Sequence, residues 1–313
     1  MEQNNVLTTP TSIFTGVFRL TGRVADFDNH GNPYLRLRLS HCHADYIAGL
    51  DVDKISMPED IGYLDQVLVS GTKYGSNPLN LDIRLSQIQK ASYSDVINQP
   101  VLNSIPRAYC PVPNSLDALV ESVRSLRSTH LKNFIMRVIE RRDRLEVFLN
   151  APASRSHHHA YRGGLLEHSL DVAMNVVAMA QLNEPNMPRL LQELGFVAGL
   201  FHDIGKTYTY DSKGKPSLAW SLCDHHALTL EACAFGLAYL DRLEPELAVT
   251  LRHIWTSASP GARYGTQPAN TLARYVRDAD GQSAMSHRHF TVLKGVHNGL
   301  IKRGKEFFWS PAV

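Results

Sequence analysis

The sequence predicts a two-domain chain, an N-terminal all-β barrel followed by an all-α helical bundle. Three observations predict it. Up to about residue 90, apolar residues alternate along short runs separated by polar turns. Prolines then interrupt the chain at Pro100, Pro106, Pro111 and Pro113. Beyond residue 113 the apolar positions recur at helical spacing. The expected divisions are 1–91 for the barrel, 92–113 for a linker and 114–313 for the bundle.

The β region builds up in order. SIFTGVFRLTGRVADF is a long alternating run, and the turn DNHGN separates it from PYLRLRLS, where Tyr34, Arg36 and Arg38 alternate with Leu35, Leu37 and Leu39. A third run, ADYIAGLDV, begins at Ala44. The segment MPEDIGYL precedes a fourth, QVLVSG, and the turn YGSNP precedes a fifth, LNLDIRLSQI. Five strands with a small insertion between the third and fourth match the order of an OB-fold barrel. Such barrels present aromatic side chains and cations to single strands. Phe18, Tyr34, Arg36 and Arg38 are the candidate nucleic-acid contacts, set beside the ordinary alternative of core or solvated residues.

In the helical region, Asn114 or Ser115 can cap a helix carrying Leu116, Leu119, Val120 and Val123. A second helix is expected over Thr129 to Leu149. Seven Arg/Lys against four acids between Glu121 and Asn150 fit a solvated helix face, with a track for a nucleic-acid backbone as the alternative. Everything after residue 113 reads as helical.

Composition narrows the class. The 313 residues are 43% hydrophobic and 20% charged with a formal net charge of +2, as in an ordinary globular protein. Four cysteines without a CxxC pair argue against a zinc ribbon or disulfide framework and suit a reducing cytosol. MEQNNVLTTP has no apolar h-region, and the run Leu194 to Phe201 is too short to span a bilayer. A cytoplasmic location without a membrane partner is the expectation. The charge does not demand a polyanionic partner, and nothing here fixes whether the chain forms a homo-oligomer.

Histidine is the anomaly, with 15 in all and eight between His157 and His253. In FVAGLFHDIGKTY, Phe196, Val197, Leu200 and Phe201 mark a buried helix, and Gly205 is expected at its C-cap. His202 and Asp203 at the end of such a helix need compensation, which a divalent cation supplies. His168 lies on a helix starting at Gly164. Asp280 lies in NTLARYVRDADGQSA beside an apolar face, with Asp278 its rival. His, His-Asp and Asp on three helices form a plausible ligand set for one metal.

The order H…HD…D resembles the HD superfamily of metal-dependent phosphohydrolases. Within it, PASRSHHHAYRGGLLEHSLDVA resembles two groups. One is the bacterial 3′–5′ exoribonucleases that join an OB-fold to an HD domain (YhaM-like). The other is the TraI-type HD domain of conjugative relaxases. The resemblance implies that His168, His202, Asp203 and Asp280 bind one metal and that Asp203 bridges to a second. His225 and His253 are candidates for that second site, and His226 is a rival for His225. His158 and His159 are expected over the site as phosphate contacts, against a structural hydrogen-bonding role. Lys206 follows the HD pair closely enough to neutralise a phosphate oxygen, and Arg162 is a further substrate candidate.

Two cations about 3.5–4 Å apart can hold a phosphodiester and lower the pKa of a water between them. Histidine-rich ligation favours Mn, Fe, Ni, Co or Zn over magnesium, and the resemblance implies manganese. No Ser-His-Asp elbow, Walker loop or Rossmann glycine motif is present. The expectation is a metal-dependent 3′–5′ exonuclease on single-stranded RNA or DNA. The alternatives are a hydrolase of a small nucleotide and a conjugation-related DNA-processing or accessory protein.

Overall fold

β1 (Pro10–Phe27) is long enough to serve two neighbours, and this closes the sheet. In the computed structural model its first half pairs with β4 (Gln66–Tyr74) and its second half with β2 (Pro33–Ser40), both antiparallel. β2 continues to β3 (Asp45–Asp51), which runs parallel to β5 (Ile83–Lys90), and β5 returns to β4. The result is a closed five-stranded barrel of order β1-β2-β3-β5-β4. Described are residues 10–74, 81–91, 101–211, 213–257 and 266–311. The chain divides into two units, 1–120 and 121–313.

Alternation decides which side chains fill the barrel. Leu37, Leu39, Ala48, Leu50, Val67, Val69 and Ile83 are fully buried, with Phe18 and Leu20 beside them. A β-carbon on Gly71 would lie 2.4 Å from the Arg84 carbonyl oxygen, so the register shift at Ser70/Gly71 depends on a residue without one.

The four expected nucleic-acid contacts of this unit are placed otherwise. Phe18 and Tyr34 are only 6% and 7% exposed and belong to the interior, so neither ring is a stacking surface. The Tyr34 hydroxyl donates to Asp26 at 2.8 Å, and Arg36 Nε donates to the same carboxylate at 3.0 Å. Arg38 is held by Asp45. The two guanidinium groups are therefore committed to carboxylates on their own barrel.

The expected linker is also structured in part. Residues 92–100 lie outside the described residues. Val101–Ser104 and Arg107–Tyr109 form 3₁₀ turns that bury Leu102 and Ile105 completely. Arg107 Nε donates to the Cys42 carbonyl at 2.7 Å, which ties the segment to the barrel unit. Apolar residues between the prolines, rather than the prolines themselves, set this behaviour.

α1 (Pro113–Ser125) starts one residue earlier than the expected caps. A proline is tolerated in the first turn because its missing N–H would be unpaired there in any case. The single helix expected over Thr129 to Leu149 is two, α2 (Thr129–Ile139) and α3 (Arg142–Asn150), broken where Arg141 is extended. The rest of the second unit is helical: α4 (Gly164–Asn183), α5 (Arg189–Phe201), α6 (Lys206–Thr209), α7 (Leu218–Leu222), α8 (His225–Ala232), α9 (Ala234–Leu243), α10 (Pro245–Thr256) and α11 (Thr271–Leu293).

α4, α5 and α11 pack together and position the site. A β-carbon on Gly199 would lie 2.8 Å from the Ala173 Cα, so glycine lets α4 and α5 approach closely. Phe134, Phe148, Phe201 and Trp255 form the aromatic core behind them, and the Trp255 indole N–H donates to the Ala198 carbonyl at 2.9 Å.

The all-helical expectation fails at the C-terminal end. β6 (Gly299–Arg303) and β7 (Glu306–Ser310) form an antiparallel hairpin. Its strands carry the consecutive apolar runs Leu300-Ile301 and Phe307-Phe308-Trp309, and Gly304 takes the positive φ of the turn (+61°). No helix among the described residues is long and apolar enough to cross a membrane.

Candidate metal centre

Two glycines and a histidine set up the entrance to α4. Gly163 has φ 84°, a left-handed conformation that favours glycine. A β-carbon on Gly164 would lie 2.1 Å from the His159 carbonyl oxygen. His159 is itself left-handed (φ 45°), a strained conformation for a residue with a β-carbon. This turn folds HHHAYRGG back over the helix, as the paired glycines predict. It brings the His158 ring centroid to 4.9 Å from that of His168.

His168, His202 and Asp203 are buried and meet Asp280 at one point. His168 Nε2 lies 3.1 Å from Asp280 Oδ1 and 3.6 Å from Asp203 Oδ2. His202 Nε2 lies 3.4 Å from Asp203 Oδ2 and 3.7 Å from Asp280 Oδ1. Both Nε2 atoms, and that of His158, are buried without a hydrogen-bond partner. Donors bound to one cation at about 2.0–2.2 Å with tetrahedral or octahedral angles are separated by about 3–3.6 Å. The measured separations are close to that range, and buried imidazole nitrogens without partners are otherwise costly. The residues present therefore fit a divalent cation.

The backs of the rings are anchored. His202 Nδ1 is 2.7 Å from the Gly199 carbonyl, which only accepts, so Nδ1 carries a proton and Nε2 is the nitrogen turned to the cluster. His168 Nδ1 lies 3.1 Å from Ser283 Oγ, whose hydroxyl is directed to Asp171 at 3.4 Å. Such outer partners fix ring orientation and raise ligand basicity.

Asp203 faces two ways. Its Oδ2 meets His168 and His202, while its Oδ1 lies 3.3 Å from His225 Nε2. Asp203, His225 and His226 form a second group whose ligating atoms lie within 4.8 Å of one another, and His158, His168 and Asp280 form another. The rivals His225 and His226 are thus brought to the same place. Of Asp278 and Asp280, it is Asp280 that reaches the histidines.

The charges are strongly coupled. Burial disfavours a charged His202, but Asp203 and Asp280 outweigh it and raise the imidazole to about 10. Burial likewise opposes ionisation of Asp203, yet Lys206 and His202 hold its carboxyl well below the usual range. Asp280 is lowered in the same way, against its own burial, by His168 and His202. A cation at this point would satisfy both carboxylates in place of the second His202 proton. Burial, with His168 and Lys206 nearby, pushes His158 down to about 4, and burial with His287 nearby pushes His159 down to about 3.

Other expected site residues are placed differently. His253 is not brought to the cluster: its Nε2 accepts the Ala269 backbone N–H at 2.8 Å. Lys206 is not free for a phosphate, because its ammonium donates to Asp203 Oδ2 at 2.5 Å and to the Ala153 carbonyl at 2.7 Å. Arg162 turns to Asn150 Oδ1 at 2.6 Å. His158 sits among the ligating atoms, and His159 behind it, with Nδ1 3.0 Å from the Tyr161 hydroxyl and Nε2 3.5 Å from Asp171 Oδ2.

Gly205 is not a left-handed C-cap. Its φ is −58°, and a β-carbon there would lie 1.9 Å from the His225 carbonyl oxygen. The glycine lets the His-Asp turn seat against α8, which carries His225.

Asp171, Glu167, Ser283 and His287 support the cluster without having been singled out in the sequence. The signal was available in part. Asp280, Ser283 and His287 recur at i, i+3 and i+7, which is one face of α11. Ser283 and His287 open onto a cavity of about 700 Å³ between α4 and α11, lined by His159, Tyr161, Asp171, Phe290 and Lys294 among others.

Residues 165–285 match the family model described as HD domain. Residues 114–211 match the family TraI_2, described as "Putative helicase". No curated protein and no solved structure matches the chain. The two family matches support an HD-superfamily protein, and the HD match supports metal-dependent hydrolase chemistry.

Proposed function

We propose that the chain is a metal-dependent phosphodiesterase that shortens single-stranded RNA or DNA from the 3′ end. The observation that carries the reading is the convergence of His168, His202, Asp203 and Asp280 through buried, unpartnered nitrogens, with Asp203 turned at once toward His225. His168, His202, Asp203 and Asp280 would hold one cation. Asp203, His225 and His226 would contribute to a second. Bound there, divalent cations polarise the phosphoryl group and lower the pKa of a water molecule. The imidazole-rich donor set favours Mn, Fe, Ni, Co or Zn.

The protein's own groups prepare that chemistry. Lys206 keeps Asp203 ionised and oriented. The Gly199 carbonyl and Ser283 hydroxyl turn the basic nitrogens of His202 and His168 inward. His158, held neutral by burial, offers an uncharged Nε2 beside them. The barrel's strand order and its parallel β3–β5 pairing support reading it as an OB-fold. Its part in strand binding rests on surfaces other than Phe18, Tyr34, Arg36 and Arg38. The match of residues 114–211 is compatible with a second reading, a relaxase-like DNA-processing role for the same metal site.

The test is a 5′-labelled single strand incubated with the purified protein and Mn²⁺. Stepwise shortening is expected, and its loss in the His202→Ala/Asp203→Ala variant. Inertness on all single strands with Mn, Fe, Ni, Co and Mg would refute the reading. Turnover of free nucleotides alone would instead identify a small-nucleotide hydrolase.

A further inference from the structure

The C-terminal hairpin has two unlike faces. Cross-strand pairing sets Leu300 opposite Trp309 and Lys302 opposite Phe307, so alternation places these side chains on one face. Ile301 and Phe308 share the other. Phe308 is 2% exposed, with its ring 4.9 Å from that of His289 on α11. Arg288 on α11 also lies over Phe308 and pairs with Glu306. The inner face is thus anchored to the helix that carries Asp280.

The outer face is apolar yet open. Leu300, Phe307 and Trp309 are 61%, 60% and 58% exposed. Two exposed aromatic rings on a five-residue strand exceed the scatter of single apolar residues on ordinary surfaces. Lys302 Nζ lies 5.4 Å from the centre of the Phe307 ring. Between residues 294 and 311 the sequence holds Lys294, Lys302, Arg303 and Lys305 against one acid, Glu306, which is already paired. Cations interleaved with exposed aromatics suit single-stranded nucleic acid, whose bases stack and whose backbone is anionic. A second protein surface would find one carboxylate here, Glu306, already held by Arg288, and would have to supply several of its own.

The hairpin also lies in line with the chemistry. Nine residues of α11 separate Asp280 from His289, which is about 14 Å of helix. The cavity between α4 and α11 runs beside this stretch, lined by His159, Asp171 and Ser283, which back the metal cluster, and further along α11 by Phe290 and Lys294. Its carboxylates, Glu167 and Asp171, can accept base N–H groups, and Lys294 adds a cation.

We propose that the outer face of the β6–β7 hairpin, with Phe307 and Trp309 as stacking platforms and Lys302 as phosphate contact, binds single-stranded nucleic acid and feeds it along the α4–α11 cavity to the metal centre. The destination of the strand rests on the phosphodiesterase reading; the binding face does not. Base stacking on an aromatic is worth about 1–3 kcal/mol, so each ring contributes about fivefold to over a hundredfold in affinity.

The full chain is titrated against a short phosphorothioate single strand by fluorescence anisotropy, in wild type, Phe307→Ala/Trp309→Ala and Lys302→Gln. The aromatic variant should bind at least tenfold more weakly. Lys302→Gln should bind more weakly with a shallower salt dependence. Turnover of bis(p-nitrophenyl) phosphate, too small to reach the hairpin, should be unchanged in both, which also reports that they fold. Unchanged oligonucleotide affinity in the aromatic variant overturns the proposal. A change in self-association with binding intact overturns it too, and assigns the face to a second copy. Hairpin-dependent binding with no phosphodiester turnover in any variant refutes the catalytic reading alone.

Discussion

Where a β-carbon on Gly205 would sit, the His225 carbonyl oxygen is 1.9 Å away and the Thr229 amide nitrogen 2.6 Å away, both backbone atoms that cannot swing aside. A substitution here acts on two things at once. It overpacks the turn, a cost of about 1–3 kcal/mol or more, and it levers His225 away from Asp203. Gly205→Ala is therefore expected to lower the melting temperature by several degrees, at about 2–4 °C per kcal/mol for a unit of this size. It should also reduce bound metal by mass spectrometry. Full metal content in a folded variant would show that α8 does not depend on this contact. The His-Asp pair was legible in the sequence because buried histidine beside aspartate needs a reason. The role of Gly205 was not, since a glycine after a helix reads as a cap, and only the approach of α8 from elsewhere in the chain reveals the other reason for it.

Among the elements, α5 reaches outside its own turn to organise another. Glu193 is buried, and its carboxylate accepts the backbone N–H groups of Arg127 at 2.8 Å and Ser128 at 2.9 Å, while Arg189 donates to it at 3.0 Å. These amides lead into α2, whose cap is Ser128. Burial alone would raise the Glu193 pKa, but the two amides and Arg189 outweigh it and lower it. A lowered carboxyl stabilises the fold fully above the unfolded value, about 4.3, and loses that contribution as the pH falls below it. Removing the acceptor would leave two part-buried N–H donors without a partner, a loss of about 1–3 kcal/mol. Denaturant unfolding of wild type and Glu193→Ala should show this difference at pH 7 and a smaller one near pH 3. A gap that does not change with pH would mean the carboxylate charge is not involved.

The same scale explains what the sequence concealed. Period-two alternation gave the five strands, and glycine pairs gave the entry to α4, because both are local signals. The burial of Phe18 and Tyr34 depends on which face of the barrel turned inward. The position of His253 depends on the segment around Ala269. The hairpin of residues 299–310 was lost because a few apolar residues after a long helix resemble a frayed end until they pair with each other.

For the whole molecule, the cluster of histidines and carboxylates is a stability element as well as a site. A ligand that binds only the folded state stabilises it by about 2.7 kcal/mol at a hundred times its dissociation constant. Chelation should therefore lower the thermal transition of the helical unit and return of Mn²⁺ should restore it, with the barrel's transition unmoved. An unaltered melt on chelation, at matched ionic strength, would count against a bound cation.

That same melt reads out Asp203. With one oxygen toward His168 and His202 and the other toward His225, this side chain brings a single negative charge to two neighbourhoods. The first ion to arrive uses most of that charge, so the second meets a poorer host. By linkage, each ion weakens the other's hold by the same factor. The restoration should accordingly proceed in two steps separated in Mn²⁺ concentration. The protein would then have a working range set by how much metal its surroundings supply, through one shared carboxylate.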